Sequence, residues 1–221
     1  MPASQPILGT NTATPQNLAY RVGKIAPYLS GHWLDYGCAD GGYVEALLSN
    51  GASSVVGVDV DERLISQATA RGIPNATFQV FNGYELESKD NSFDGAFVNE
   101  VLEYVADEQA SLRDIYRVLR PSGRLVLISP NRWFPFEGHG ATINWLRTRN
   151  YWPHQLVMQV EDAGFVIHEI GFVWPVFDVF RWLPSPVIST CQRWMERLDR
   201  VPGVRRLGLS TLVIATKPSK P

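Results

Sequence analysis

The stretch HWLDYGCADGGYVEALLSNGASSVVGVDVDE, running from His32 to Glu62, decides the fold. It opens on "HWLDYG", a short apolar run closed by a glycine, which reads as a buried strand. "GGYVEALLSNGA" then has the spacing of a helix, with Gly51 as its stop. "SVVGVDV" is a second buried run that ends in acids. Strand, helix and strand in this compass make one parallel crossover unit of roughly 30 residues.

The same alternation continues outward. Upstream, "NLAYRVGKIAPYLSG" predicts a helix with Leu18, Val22 and Ile25 on one face and Gly31 at its end. Residues 1–16 are rich in Pro, Thr, Ser and Ala and read as a flexible arm. Downstream, "DERLISQATARGI" predicts a helix, and "ATFQVFNG" and "SFDGAFVNEVLEYV" predict strands, the latter running into a turn. "DEQASLRDIYRVLRPSG" predicts a helix closed by Pro121, Ser122 and Gly123, followed by the strand "GRLVLISP". Alternating strands and helices predict an α/β fold, a Rossmann-like doubly wound sheet.

After Pro130 the composition shifts, and six of the seven tryptophans lie there. "PHQLVMQVEDAGF" predicts a helix, and "FVIHEIGFVW" and "STLVIATKP" predict strands. Residues 17–221 therefore read as one domain with aromatic-rich insertions at about 131–152 and 174–207. With 221 residues, 45% of them hydrophobic, the chain suits one sizeable core. A net charge of -2 gives no reason to expect nucleic acid as a partner. Cys38 and Cys191 make no disulfide framework, which points to a reducing cytoplasm.

The turn after the first strand is Gly37-Cys38-Ala39-Asp40-Gly41-Gly42. Small residues there let a ligand approach the backbone and the helix N-terminus. Asp35 precedes the turn, and Asp59 closes the next strand, where a carboxylate can accept both hydroxyls of a ribose. A dinucleotide would set its pyrophosphate against Asp35 and Asp40, which repel it. S-adenosylmethionine has a ribose, a sulfonium cation and an amine but no phosphate, so electrostatics favours it.

"LDYGCADGG", "VVGVDVDE", "NSFDGAFVNEVLEYV" and "LRDIYRVLRPSGRLVLISP" together resemble the successive motifs of class I S-adenosylmethionine-dependent methyltransferases, in the group acting on small molecules, sugars and lipids. The resemblance covers about residues 17–130. It implies a seven-stranded, mostly parallel sheet whose last strand runs antiparallel, the role open to "FVIHEIGFVW" and "STLVIATKP". It also implies that Asp35, Gly37, Ala39 and Gly41 line the methionine end of the cofactor. Asp59 would hold the ribose, Val60 would flank the adenine, and Asn82 and Gly83 would meet its amine edge. Asn82 stands where the family often has an aspartate, and its amide oxygen can accept the same bond. Asn99 would face the cofactor after the fourth strand. Ala39 replaces a common glycine, a small change if its backbone angles are ordinary.

The reaction implied is methylation of a small-molecule acceptor, with a hydroxyl of a sugar, glycoside or lipid-linked molecule preferred. The loop after the fifth strand, "NRWFPFEGHGATINW", leaves from the ligand edge of the sheet. His139 is the first candidate base for such a hydroxyl, with Glu137 as its orienter or as a substrate contact. His154 is the alternative, while His168 reads as structural. Glu100 and Glu103 read as charges on a short helix, and Cys38 as a small packed residue. Glu137 and His139 could ligate a metal, but their spacing is too generic to define a site and none is assigned. The second insertion is open to three roles: a lid, a homodimer contact, or a surface laid on a membrane, since several arginines edge an apolar helix. N- or carboxyl-methylation, non-catalytic cofactor binding and nicotinamide-dependent oxidoreduction are the competing functions.

Overall fold

The computed structural model describes residues 15–133, 151–173 and 203–219, with scattered positions between 184 and 201. The apolar stripe of the first helix, α1 (Pro15–Ile25), buries Val22 and Ile25. The helix stops six residues short of Gly31 and continues as a single 3-10 turn, Ala26–Tyr28. Pro27 explains the early stop, because it lacks the N–H that the next α-helical bond requires.

The deciding stretch folds as its pattern demands. β1 (His32–Tyr36) and β2 (Ser54–Asp59) lie parallel, with Asp35 opposite Gly57. Between them α2 (Gly42–Ser49) makes the crossover and buries Tyr43, Val44 and Leu47. The unit repeats through α3 (Glu62–Ala70), β3 (Ala76–Val80) and β4 (Phe93–Asn99). It repeats again through α4 (Glu108–Val118) and β5 (Leu119–Pro130). α5 (Pro153–Asp162) precedes β6 (Val166–Val173), and β7 (Ser210–Thr216) pairs antiparallel with both β5 and β6. The sheet order is β3-β2-β1-β4-β5-β7-β6. This is the mixed seven-stranded sheet that the motifs imply.

Both faces of the sheet are covered. Leu125 and Leu127 of β5 pack on one side with Leu112, Ile115 and Leu156, while Val126 and Ile128 pack on the other with Val22, Val44 and Leu47. That is why the central strands read as continuous apolar runs rather than as alternation.

α4 ends at Val118, earlier than the Pro-Ser-Gly stop, and the strand begins at once with Leu119 paired to Phe93. The helix end is held from a distance. Lys217, just past β7, donates through Nζ to the carbonyls of Tyr116 (3.0 Å) and Leu119 (2.8 Å). A cation there also complements the helix dipole.

Close pairing of β1 and β4 depends on Gly95 lying beside Trp33. A β-carbon at Gly95 would sit 2.4 Å from the Trp33 ring. Gly95→Ala is therefore expected to destabilise the protein by about 1–3 kcal/mol, the usual cost of overpacking a rigid core. The midpoint of urea unfolding measures it, and an unchanged midpoint would contradict the packing described.

Candidate functional site

Parallel pairing sets the C-terminal ends of β1, β2 and β4 side by side. The N–H groups of Gly37 and Cys38 both donate to the Val58 carbonyl, at 2.8 and 2.9 Å. The turn after β1 thus hangs from the end of β2. Gly37 has a φ of 81°, and a β-carbon there would lie 2.3 Å from Val101 Cγ2. The chain leaving β4 therefore closes directly over this turn. Gly41, also left-handed, starts α2 with no side-chain cap.

Ala39 departs from expectation. Its φ is 47°, in the left-handed region, so the replacement of glycine is not free. The β-carbon costs roughly 1–2 kcal/mol in that region. The Ala39 N–H donates to Asp59 Oδ2 at 2.9 Å, which helps to hold the turn in place.

Asp59 and Asp61 divide two tasks. Asp61 caps α3 by accepting from the Arg63 N–H at 2.9 Å. Asp59 takes the Ala39 N–H on Oδ2 and the Asp61 N–H on Oδ1, the latter at 3.0 Å. Both carboxylate oxygens are thereby oriented, and each keeps a lone pair for a diol.

Asp35 is the anomaly of the site. It is 2% exposed, and its Oδ2 has no hydrogen-bond partner. Burial, and then the neighbouring charge of Asp59, push its carboxyl up to about 8. An unpartnered buried carboxyl is unfavourable by itself and well matched to a cationic ligand. The same burial pushes the Cys38 thiol up, with Asp35 and Asp59 adding to it, so Cys38 is a packed, inert side chain.

At the far end of the crest, Val60 is 55% exposed, and a β-carbon on Gly83 would touch it at 3.3 Å. These two residues form an open apolar ledge. Asn82 does not offer its amide oxygen as expected. That oxygen accepts the N–H groups of Tyr84 (2.8 Å) and Glu85 (3.0 Å), forming a local turn. Its NH2 group, a donor, is what remains for a ligand.

Asn99 ends β4, and its Oδ1 accepts from Arg21 Nη1 at 2.7 Å. Glu100 follows with a φ of 54°, accepting from Arg21 Nη2 (2.8 Å) and from the Ser210 hydroxyl (2.9 Å). Glu100 and Glu103 are therefore not simple surface charges. Glu103 is fully buried and accepts from the Ser129 hydroxyl at 3.3 Å. Arg21 was missed by the pattern reading. Its signal was its position, three residues after Leu18 and four before Ile25, on the stripe that the helix buries.

His139, Glu137 and most of both insertions lie outside the described residues. His154 is exposed at the start of α5. His168 is exposed on β6, with Nε2 2.7 Å from the Thr216 hydroxyl. Among the described residues, no group of three or more His, Cys, Asp or Glu could hold a metal ion, and no helix is long and apolar enough to cross a membrane.

Residues 34–127 match a protein family described as "Methyltransferase domain". A "probable S-adenosylmethionine-dependent methyltransferase" of Mycolicibacterium smegmatis is 28% identical over 178 residues, covering 76% of this chain and 68% of that protein. An "O-methyltransferase resE" of Aspergillus sclerotiorum is 32% identical over 124 residues, covering 53% of this chain and 47% of that protein. In structure, the chain is similar to an S-adenosylmethionine-dependent methyltransferase from Mesorhizobium loti. The TM-score is 0.66 at 20% identity, over 89% of this chain and 95% of that one. The chain spans about half the length of most of the curated relatives it matches. Residues 34–127 therefore form a methyltransferase domain, set in the sheet order expected of the class I S-adenosylmethionine-dependent methyltransferases, and S-adenosylmethionine is the cofactor of that class. The residues present fit it: an orphaned buried carboxyl for a cation, an oriented carboxylate for a diol, and an apolar ledge for a base.

The proton on Asp35 has a measurable consequence. The folded protein holds it up to about pH 8, whereas the unfolded chain releases it near the ordinary 3.8. Between those values the native state binds more protons than the unfolded state. The stability contributed is full below the lower value and is lost as pH rises through the upper one. Asp35→Asn is expected to flatten this part of the stability–pH curve, and to stabilise the cofactor-free protein at pH 8 while weakening cofactor binding. Denaturation midpoints across pH 5–9 check it, and a curve parallel to wild type would reject the assignment.

Proposed function

We propose that this chain transfers the methyl group of S-adenosylmethionine to a hydroxyl of a small-molecule acceptor, such as a sugar, a glycoside or a lipid-linked molecule. The observation that carries the cofactor half is the pairing of Asp35, a buried carboxyl with an unpartnered oxygen, with Asp59, held by two backbone N–H groups. In this reading Asp35 takes the cofactor's ammonium, while Gly37, Ala39 and Gly41 leave room for its methionine end. Asp59 accepts the ribose hydroxyls. Val60 and Gly83 flank the adenine, and Asn82 donates to it from its amide NH2. Asn99 borders the methionine end from the exit of β4. A dinucleotide fits less well, because Asp40 and Glu45 stand beside the N-terminus of α2, where a pyrophosphate would have to lie.

When bound, the cofactor supplies an activated methyl on a sulfonium. The protein must align the acceptor, exclude water and remove the hydroxyl proton. His139 is proposed as the base, oriented by Glu137 or assisted by its contact with the acceptor. A neutral imidazole can take the proton at pH 7. Sequence similarity to the Aspergillus O-methyltransferase supports oxygen as the acceptor atom. The aromatic insertions are proposed as the walls that receive the acceptor or a second copy of the chain. A cytoplasmic setting agrees with Cys38 and Cys191 being free thiols.

Calorimetry and turnover separate these roles. Asp59→Ala should weaken S-adenosylmethionine binding by about 1–3 kcal/mol, through loss of a charged hydrogen-bond partner. Wild-type affinity in that variant would remove the ribose role. His139→Ala should reduce turnover by about 10²-fold with cofactor affinity unchanged. Undiminished turnover would exclude His139 as the base. Saturable binding of NAD(H) alone would overturn the cofactor reading altogether.

A further inference from the structure

We infer that Arg21 is a positioning residue for cofactor binding: it fixes the exit of β4 over the glycine turn, and so makes the docking of α1 part of the cofactor site. The inference rests on the reading of the β1–β2 crest as the S-adenosylmethionine site.

The side chain of Arg21 is 3% exposed, and among the described residues its guanidinium donates to three acceptors. Nε donates to Asn17 Oδ1 at 3.1 Å on its own helix. Nη1 and Nη2 reach 78 and 79 residues along the chain, to Asn99 Oδ1 at 2.7 Å and Glu100 Oε1 at 2.8 Å. Only a planar fork can serve acceptors on two sides in this way, and a lysine ammonium would serve them as a single point. The acceptors are no ordinary surface groups. Glu100 sits in the left-handed region, an arrangement that persists only where its surroundings enforce it. Its N–H donates to the Ile128 carbonyl at 2.7 Å, and its carboxylate also receives the Ser210 hydroxyl. Arg21 thus joins α1, the β4 exit and β7 around one carboxylate.

This bears on the cofactor because the next residue is Val101. Its side chain fills the space where a β-carbon of Gly37 would lie, 2.3 Å from Cγ2. The segment that Arg21 holds is therefore the lid of the turn proposed for the methionine end of the cofactor. If α1 lifts, Asn99 and Glu100 lose the guanidinium and the lid loses its position. By linkage, a ligand seated under that lid must favour docked α1.

Two measurements test this, neither of them turnover. The first is the affinity of S-adenosylmethionine by calorimetry. The second is amide hydrogen exchange in residues 17–25, with and without S-adenosylmethionine. Wild type should bind the cofactor and exchange more slowly through α1 when it is bound. Arg21→Met should bind ~10-fold or more weakly, consistent with losing hydrogen bonds to a charged group, and cofactor should no longer slow exchange in α1. Arg21→Lys, which keeps the charge but not the fork, should fall between the two. Glu100→Gln keeps the shape and should show a smaller loss of the same kind. A purely structural role would lower the melting temperature without breaking the link between cofactor and α1 exchange. Wild-type affinity in Arg21→Met, with α1 still protected by cofactor, overturns the inference and leaves the site reading intact. Should that variant fail to fold, wild-type behaviour in both Arg21→Lys and Glu100→Gln overturns it equally. Failure of wild type itself to bind S-adenosylmethionine sinks the site reading, and the inference with it.

Discussion

The bond from the Ala39 N–H to the Asp59 carboxylate joins the first two strand exits across 20 residues of chain. Beside it, Gly37 and Cys38 share the Val58 carbonyl. These bonds set the turn at a fixed height above the sheet. They also aim Asp59, because its second oxygen is held by the Asp61 N–H. Together with the strand register, this tie sets the relation between the turn and Asp59. Without it the left-handed Ala39 would relax and the start of α2 would move with it.

Strain and orphaned polarity collect around that tie. Ala39 and Glu100 are both non-glycine residues at positive φ, and Asp35 carries a buried oxygen without a partner. Each is unfavourable by itself, and all three lie at the same end of the sheet. Binding sites commonly hold such local costs against a stable scaffold. The scaffold here is the two-faced core around β1, β4 and β5. Its side chains are almost wholly buried, and it can enforce conformations at its rim that a short peptide would not adopt.

The Rossmann-like order was legible because the signals were strong and local. Apolar runs bounded by Gly37, Gly51 and Gly72 had one consistent reading, and the strands formed where the runs lay. Element ends were less legible. Pro27 shortened α1, and Lys217 let α4 stop at Val118, the latter through contacts about a hundred residues away. In the site, Asp35 and Asp59 stood out by their places at strand ends. The bonds that Asn82 makes within its own turn were not legible, because a side-chain amide can bond its neighbours' N–H groups as readily as a ligand. Arg21 left a faint trace, a charge on an apolar stripe, but its partners could not be named from the chain order.

Residue order by itself determined the alternating elements, the glycine turn and the two acidic strand ends. Each depends on backbone preference and on period, which act between near neighbours. Tertiary structure alone decided that Asp35 would be buried unpartnered, that Asp59 would be fastened by Ala39, and that Arg21 would reach Asn99 and Glu100. Those outcomes depend on which distant groups meet inside a low-dielectric interior, where one missing or added partner shifts the energy of a charge far more than it would in water.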